Sequence, residues 1–540
     1  MKNGDYEKTV REAAFVATGK FETQRIEHGF LETEAAIAMP HHDGIKVLSQ
    51  GQGIYEDRKQ IAKLLALPED KVNVVLVPNG GGFGGKEDMT VQGHAALFAW
   101  LLKRPVKVAL SRQESIMMHP KRHPVFMDMT LACDAQGKFT AMKLRALGDT
   151  GAYASVGTKV MERVAGHATG GYYVPVIDLE AKTIYTNNLP AGAMRGFGAN
   201  QVAFALETLV DELCEKGGFD RWQIRFDNAL EEGLKTATGQ VLKGGVGVKE
   251  TLLAVKPYYD KARFKGLACA IKNCGVGNGM PDFSDAIITV EDNERLIIWH
   301  GWTEMGQGVN NMAIQALCEE TGIDPALVDV IIDTRAGIVT GMTTSSRGTT
   351  LLCHAVIDAC KGLREDLRTH SLAELKGKRY KGSWICDWTT KPGKTPPGKE
   401  NITHYAYGYA TQLVVLDDNG KIDTIYAAHD AGRIINPILF EGQIEGAVHM
   451  GLGYALCENL PMKDGYLFSN KLKDCKILRA KDMPAVKVIG VEKTDPVGPY
   501  GSKGVGEIGL IPTAAAVANA YYDYNKKRQY RLPLDITTKQ

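Results

Sequence analysis

The chain has 540 residues, enough for roughly three or four compact units and a large apolar core without disulfides or a structural metal. Its 64 Lys and Arg balance 63 Asp and Glu, so no basic excess points to a nucleic-acid partner. No stretch approaches the ~18 apolar residues of a membrane span, and Met1-Lys2-Asn3-Gly4-Asp5 opens no signal peptide, which predicts a cytoplasmic protein that meets no membrane. The ten cysteines include no CxxC pair, so reduced, buried thiols are expected rather than an iron–sulfur cluster or zinc ribbon.

In chain order, an apolar strand at 72–77 leads through a glycine loop into a helix at 89–102. A hairpin follows, 127–133 and 138–147, joined by Asp134-Ala135-Gln136-Gly137, and then a helix at 203–215. The second half begins after a polar stretch at 258–266. It brings a hairpin at 286–290 and 296–300, a helix at 312–321, a strand at 328–332 and a helix at 351–363. Residues 390–402, rich in Thr, Lys, Pro and Gly, read as an exposed loop. A last hairpin, 409–416 and 422–428, turns on Asp417-Asp418-Asn419-Gly420. The segment from Lys59 to the helix at 89–102 resembles the one from Met312 to the helix at 351–363, offset by about 257 positions. The expected fold is α+β: two related lobes, 1–262 and 263–540, with mixed sheets, hairpins and glycine-rich loop–helix units.

Glycine, at 59 residues, exceeds its usual ~7% share and gathers in loops. In Asn79-Gly80-Gly81-Gly82-Phe83-Gly84-Gly85-Lys86-Glu87, five glycines around one aromatic let backbone N–H groups approach an anionic or oxo ligand. The spacing from Gly80 to Lys86 nearly makes a phosphate loop, but Glu87 stands where magnesium needs a hydroxyl and would turn negative charge toward nucleotide phosphates. His300-Gly301-Trp302-Thr303-Glu304-Met305-Gly306-Gln307-Gly308 follows a strand and opens a helix, so its amides and Gln307 are expected to hold a polar ligand. Ala193-Met194-Arg195-Gly196-Phe197-Gly198, Thr344-Ser345-Ser346-Arg347-Gly348-Thr349, Gly442-Gln443-Ile444-Glu445-Gly446 and Gly501-Ser502-Lys503-Gly504-Val505-Gly506-Glu507-Ile508-Gly509 repeat the pattern. Any one of these is an ordinary turn; six together predict one large, polar, many-armed ligand.

Taken in order, from about Glu22, through Glu27-His28-Gly29-Phe30-Leu31-Glu32, to near Ala520, these motifs resemble the molybdenum domains of the xanthine oxidase family, above all bacterial xanthine dehydrogenases, the selenium-dependent type among them. The resemblance implies molybdopterin, as such or as its cytosine dinucleotide, placed between the two lobes, with a molybdenum atom bearing oxo, hydroxyl and sulfido or selenido ligands. The metal would be held through the pterin dithiolene, with no protein ligand. It implies cofactor contacts from Gln52, Gly82, Phe83, Gly84, Arg195, Gly306, Gln307, Gly308, Ser345, Ser346 and Gln443. Glu507 would be the general base, because a hydroxyl nucleophile is weak until a carboxylate takes its proton.

Glu87 and Arg163 match the acid and guanidinium with which purine-oxidising members hold and polarise the heterocycle. Phe197 matches one ring-stacking aromatic, whereas the opposing aromatic and its threonine neighbour align with Val276 and Gly277, which removes half of the sandwich. The 193–198 motif lacks the cysteine of carbon monoxide dehydrogenases. The resemblance therefore implies a purine hydroxylase whose electrons leave to iron–sulfur and FAD modules on other chains or domains. The chain would be a subunit or a piece of a longer protein, with a homodimer left open. An aldehyde or nicotinate-type hydroxylase, and a cofactor-binding subunit without turnover, are the alternatives.

Overall fold

The computed structural model describes residues 1–536. Its contacts gather into two compact units that are discontinuous in sequence: Met1–Gly29, Pro120–Cys274 and Thr390–Gln540 form the first, Phe30–His119 and Gly275–Thr389 the second. The sequence halves 1–262 and 263–540 are therefore not the contact units; each half contributes to both.

The second unit holds two four-stranded sheets of one topology. In the first, Ala35–His41 pairs antiparallel with Gly44–Ser49 and with Val106–Ala109, and Gly44–Ser49 pairs parallel with Val72–Leu76. In the second, Asp282–Val290 pairs antiparallel with Leu296–Trp299 and Arg379–Cys386, and Leu296–Trp299 pairs parallel with Val328–Ile331. Each parallel pair is bridged by a helix, Ile54–Leu65 or Val309–Thr321, and a second helix follows, Val91–Leu102 or Gly348–Leu367. The β-branched, apolar strands are buried by these helices, as parallel pairing requires. The likeness between 59–102 and 312–363 is thus a true repeat, but both copies lie inside this one unit rather than one in each.

The first unit also holds one strand order twice, a different one. Phe15–Thr23 pairs antiparallel with Val125–Cys133, which pairs antiparallel with Phe139–Gly151, which pairs parallel with Val176–Tyr185. Phe264–Cys274, Ala406–Leu416, Ile422–Asp430 and Ala485–Val491 repeat that order pairing for pairing. Again a helix precedes the last strand, Gly157–Gly166 or Pro437–Leu456, and another follows it, Ala199–Gly217 or Thr513–Asn525. Helix Thr513–Asn525 lies so close on Phe264–Cys274 that a Cβ at Gly266 would stand 2.1 Å from the Ala516 carbonyl oxygen and from the Ala520 amide nitrogen. The entire chain is therefore a duplication, its second copy starting at Phe264, and each copy contributes to both units.

All ten cysteines are free, eight buried and two half-buried. Among the described residues no helix is long and apolar enough to cross a membrane.

Candidate active site

Within the second unit, four loops at strand ends are tied together. The Gln52 side chain accepts at Oε1 from the Gly84 N–H (2.9 Å) and the Lys86 N–H (3.3 Å), and its Nε2 donates to the Thr343 carbonyl (3.0 Å). Thr303 donates its hydroxyl to the Gly51 carbonyl (2.9 Å) and its N–H to the Thr343 hydroxyl (2.8 Å). Segments 50–52, 79–87, 300–308 and 341–346 are thereby fixed to one another. A Cβ at Gly82 would lie 2.6 Å from Gln52 Oε1, so a larger residue there would displace the amide that joins the loops. Under the first loop the buried Asp57 carboxylate accepts from the Ser49 hydroxyl (2.6 Å), and burial pushes its carboxyl up to about 7.

The backbone of these loops is strained where the sequence placed ligand contacts. Phe83 (φ 54°), Ser345 (φ 55°) and Ser346 (φ 48°) all adopt the left-handed conformation, two of them in succession, a state of about 1–2 kcal/mol per non-glycine residue. Such strain persists where surrounding structure enforces it and gathers at functional sites. In the glycine loop, Glu32 takes the Gly80 N–H and Gln52 those of Gly84 and Lys86. Within this unit no described acceptor takes the N–H of Gly81, Gly82 or Phe83, three adjacent donors at a bend with Gly81 at φ 103°. That nest fits an oxo or phosphate-type anion. Lys86 does not complete a phosphate loop. Its ammonium is buried, donates to Asn79 Oδ1 (3.1 Å), lies 4.8 Å from the Phe30 ring centroid, and is pushed down to about 8 by burial.

At 300–308 the expectation of free helix amides is corrected. The Glu304 carboxylate accepts from the N–H groups of Gly306 (2.9 Å), Gly308 (2.9 Å) and Asn310 (3.0 Å), capping the helix from within the chain. Gln307 likewise braces its own loop, accepting from Met305 N–H (2.8 Å) and donating to the Thr303 carbonyl (2.8 Å). Gly306 faces open space, with nothing within 4 Å of a Cβ placed there. Glu87 is half-buried in this unit, and so is Val276, whose N–H donates to Asp282 Oδ2 (2.8 Å).

Within the first unit, three further loops meet. Arg195 is buried. It donates from Nε to the Gly506 carbonyl (2.6 Å) and from Nη2 to the Gln443 carbonyl (3.0 Å) and side-chain Oε1. Burial lowers this guanidinium to about 10, with the Glu507 charge opposing the fall. Glu507 accepts at Oε1 from the Gly196 N–H (3.2 Å), and its Oε2 lies 3.1 Å from Lys272 Nζ. Phe197, half-buried at φ 49°, stands between Gly196 and Gly198 at the start of helix Ala199–Gly217. Beside them helix Pro437–Leu456 presents a bare face: a Cβ at Gly442 would meet nothing within 4 Å, and one at Gly446 only Arg195 Nη1 at 4.0 Å. A cradle lined by an arginine, a carboxylate and two bare glycines fits a polar, anionic group.

Lys272 escaped the sequence reading. It is the lone charge in the apolar strand Phe264–Cys274 apart from Lys265 near its start, and its side chain is 2% exposed, which requires a partner. Its ammonium also donates to Asn273 Oδ1 (2.8 Å). Arg163, on helix Gly157–Gly166, is buried nearby. His167 Nδ1 lies 3.0 Å from the Arg163 carbonyl, and His167 Nε2 accepts from the Asn273 N–H (3.3 Å). This geometry fixes a neutral imidazole, and burial, with the Lys272 and Arg163 charges, holds His167 well below its ordinary value.

Two family models described as molybdopterin cofactor-binding domains match the chain, one over residues 1–229 and the other over 254–379 and 370–484. A probable xanthine dehydrogenase subunit of Bacillus subtilis (strain 168) is 31% identical, over 97% of this chain and 76% of its own length. The nicotinate dehydrogenase large molybdopterin subunit of Eubacterium barkeri is 38% identical, over 49% of this chain and 61% of its own. Among solved structures, the aldehyde oxidoreductase of Desulfovibrio gigas aligns with a TM-score of 0.90 at 26% identity, covering 98% of this chain and 61% of that one. The present chain thus spans about three fifths of that enzyme. These matches, together with the α+β architecture, make the chain a member of the xanthine oxidase family of molybdenum-dependent oxidoreductases, in the part that binds molybdopterin.

Proposed function

We propose that this chain hydroxylates a purine-like N-heterocycle, with Glu507 as general base and Arg163 and Glu87 as the residues that hold the ring. One observation carries the reading: a carboxylate only 12% exposed is held on both oxygens, by an amide N–H and by a lysine, where a glycine-bare helix leaves room beside it. A carboxylate so placed accepts a proton without first reorganising solvent. When bound, the molybdenum cofactor supplies the two-electron acceptor and the site at which water-derived oxygen is delivered.

Cofactor contacts are assigned to the Gly81–Phe83 amides, Gln52, Gly84, Gly306, Gln307, Gly308, Ser345 and Ser346 in one unit, and to Arg195 and Gln443 in the other. The buried Arg163 cation suits negative charge growing on a heterocycle during attack. Phe197 supplies a stacking face, and Val276, half-buried, offers no second ring. Electrons then pass to iron–sulfur and FAD modules carried elsewhere, since the ten cysteines include no CxxC pair of the kind that holds a cluster.

A complex reconstituted with cofactor, assayed by purine-dependent dye reduction, tests this reading. Glu507→Gln should retain its molybdenum and lose activity by about 10²–10⁴-fold; full activity in that variant removes the base. A pyridine-carboxylate substrate is the second reading, favoured by the 38% identity to the nicotinate dehydrogenase subunit and by two buried cations, Lys272 and Arg163, in the unit that holds Glu507. Turnover of nicotinate but not of purines would decide for it.

A further inference from the structure

We propose that Lys272 is a positioning residue that keeps the Glu507 carboxylate ionised and aimed, and that it is itself held by a hydrogen-bonded chain reaching back to Arg163. The proposal rests on the reading of Glu507 as the base. Lys272 Nζ stands 3.1 Å from Glu507 Oε2 and donates to Asn273 Oδ1 at 2.8 Å. The Asn273 N–H donates to His167 Nε2, and His167 Nδ1–H to the Arg163 carbonyl. The base on one element and the substrate-holding arginine on another are thereby joined through four directed contacts, all inside one unit.

The physical need is plain. A carboxylate withdrawn from water reverts to its neutral form unless a cation or hydrogen-bond donors stabilise the charge, and a neutral carboxyl accepts no proton. Glu507 Oε1 has the amide N–H of Gly196; Oε2 has Lys272. The titratable groups around the pair are Arg195 and Arg122, both of which feel the Glu507 charge, and Arg163, His167, His404 and Cys274 on the Lys272 side. The two histidines are held neutral by burial, and Lys272 is a cation in direct contact with the base. Burial and Arg163 both press Lys272 to lose its proton, and the Glu507 charge opposes them. The Glu507 charge thus helps Lys272 to keep its proton.

In the loaded complex, Lys272→Met should move the acid limb of the kcat/KM profile upward by about 1–3 pH units. It should lower kcat with KM little changed, and Lys272→Arg should restore the profile. An unshifted limb overturns the proposal, as does a Lys272→Arg variant no better than Lys272→Met. If Lys272→Met does not fold, Lys272→Gln keeps a hydrogen-bonding side chain without the charge and carries the same expectations. A second readout needs no turnover. Infrared difference spectra against pH follow the protonated-carboxyl band, assigned to Glu507 by its loss in Glu507→Gln, and this band should appear at higher pH in Lys272→Met. Should Glu507→Gln prove fully active, the base reading falls on its own, while the infrared comparison still decides whether Lys272 holds the carboxylate.

Discussion

At the scale of single residues, the loops are held by buried polar groups whose pairing is tunable by pH. Asp57 lies beneath the turn that carries Gln52, and burial raises its carboxyl from the ordinary 3.8 to about 7. Between those values the folded chain keeps a proton that the unfolded chain has lost. Stability is therefore untouched by this group below pH 3.8, falls as pH rises through the window, and bears the full penalty above about 7. The penalty is about 4 kcal/mol at most. Asn at this position keeps an oxygen that can accept from the Ser49 hydroxyl and carries no charge. The unfolding midpoint of Asp57→Asn relative to the parent should accordingly rise between pH 5 and pH 8, and an equal difference at both values refutes the buried, proton-holding carboxyl. Lys272 and Glu304 show why the site was only partly legible in sequence. Lys272 stands out as a charge within an apolar strand, yet its partner is a glutamate far along the chain, and nothing local names it. Glu304 sits in a motif read for its glycines, so its carboxylate was not credited with the amides it takes.

At the scale of elements, the same Glu304 takes the place of an external anion at the start of helix Val309–Thr321. It accepts three N–H groups, two on one oxygen and one on the other. Hydrogen bonds to a charged acceptor contribute more than neutral ones, and loss of a helix cap costs about 0.5–2 kcal/mol. Glu304→Ala should lower the urea midpoint correspondingly and speed amide exchange at Gly306, Gly308 and Asn310, with the opposite sheet unaffected. Unchanged exchange at these amides would show that solvent satisfies them equally well. Elements were the most legible level of the fold. Asp417-Asp418-Asn419-Gly420 specifies its hairpin because Gly420 takes φ 75°, and alternation marks the flanking strands. Helix Ala199–Gly217 begins four residues before the expected 203 because Gly198, at φ 91°, ends the loop and lets the helix start at once. The sequence does not spell out which strands share a sheet: segments 30–119 and 275–389 come together through tertiary pairing such as Leu76 N–H to the Ile332 carbonyl.

At the scale of the whole molecule, duplication explains how the Glu507 site arose. In each copy a loop leads from the last strand of the four-stranded order into the following helix. In the first copy that loop carries Arg195-Gly196-Phe197, and in the second Gly506-Glu507-Ile508. Corresponding loops thus bear a cation in one copy and a carboxylate in the other, and the two loops bond to each other in both directions. Arg195 Nε donates to the Gly506 carbonyl, and the Gly196 N–H donates to Glu507 Oε1. Beneath them a small cluster of Ala199, Ala203, Ala270, Ala410, Ile508 and Ile511, drawn from both copies, gives the loops a rigid floor. The planar fork of Arg195 spans Gly506 and Gln443 at once, which a lysine's single ammonium cannot reproduce. Arg195→Lys should therefore loosen residues 503–510 while leaving the sheets intact. Charge-assisted hydrogen bonds of this kind are worth about 1.5–3 kcal/mol, or roughly ten- to a hundredfold in exchange protection. Hydrogen exchange across 503–510 should accelerate by that factor, and strand Phe264–Cys274 should be unchanged. Equal acceleration in both would mean that the substitution unfolds the unit as a whole. No acceleration in either would mean that the Glu507 loop stands without its counterpart from the other copy.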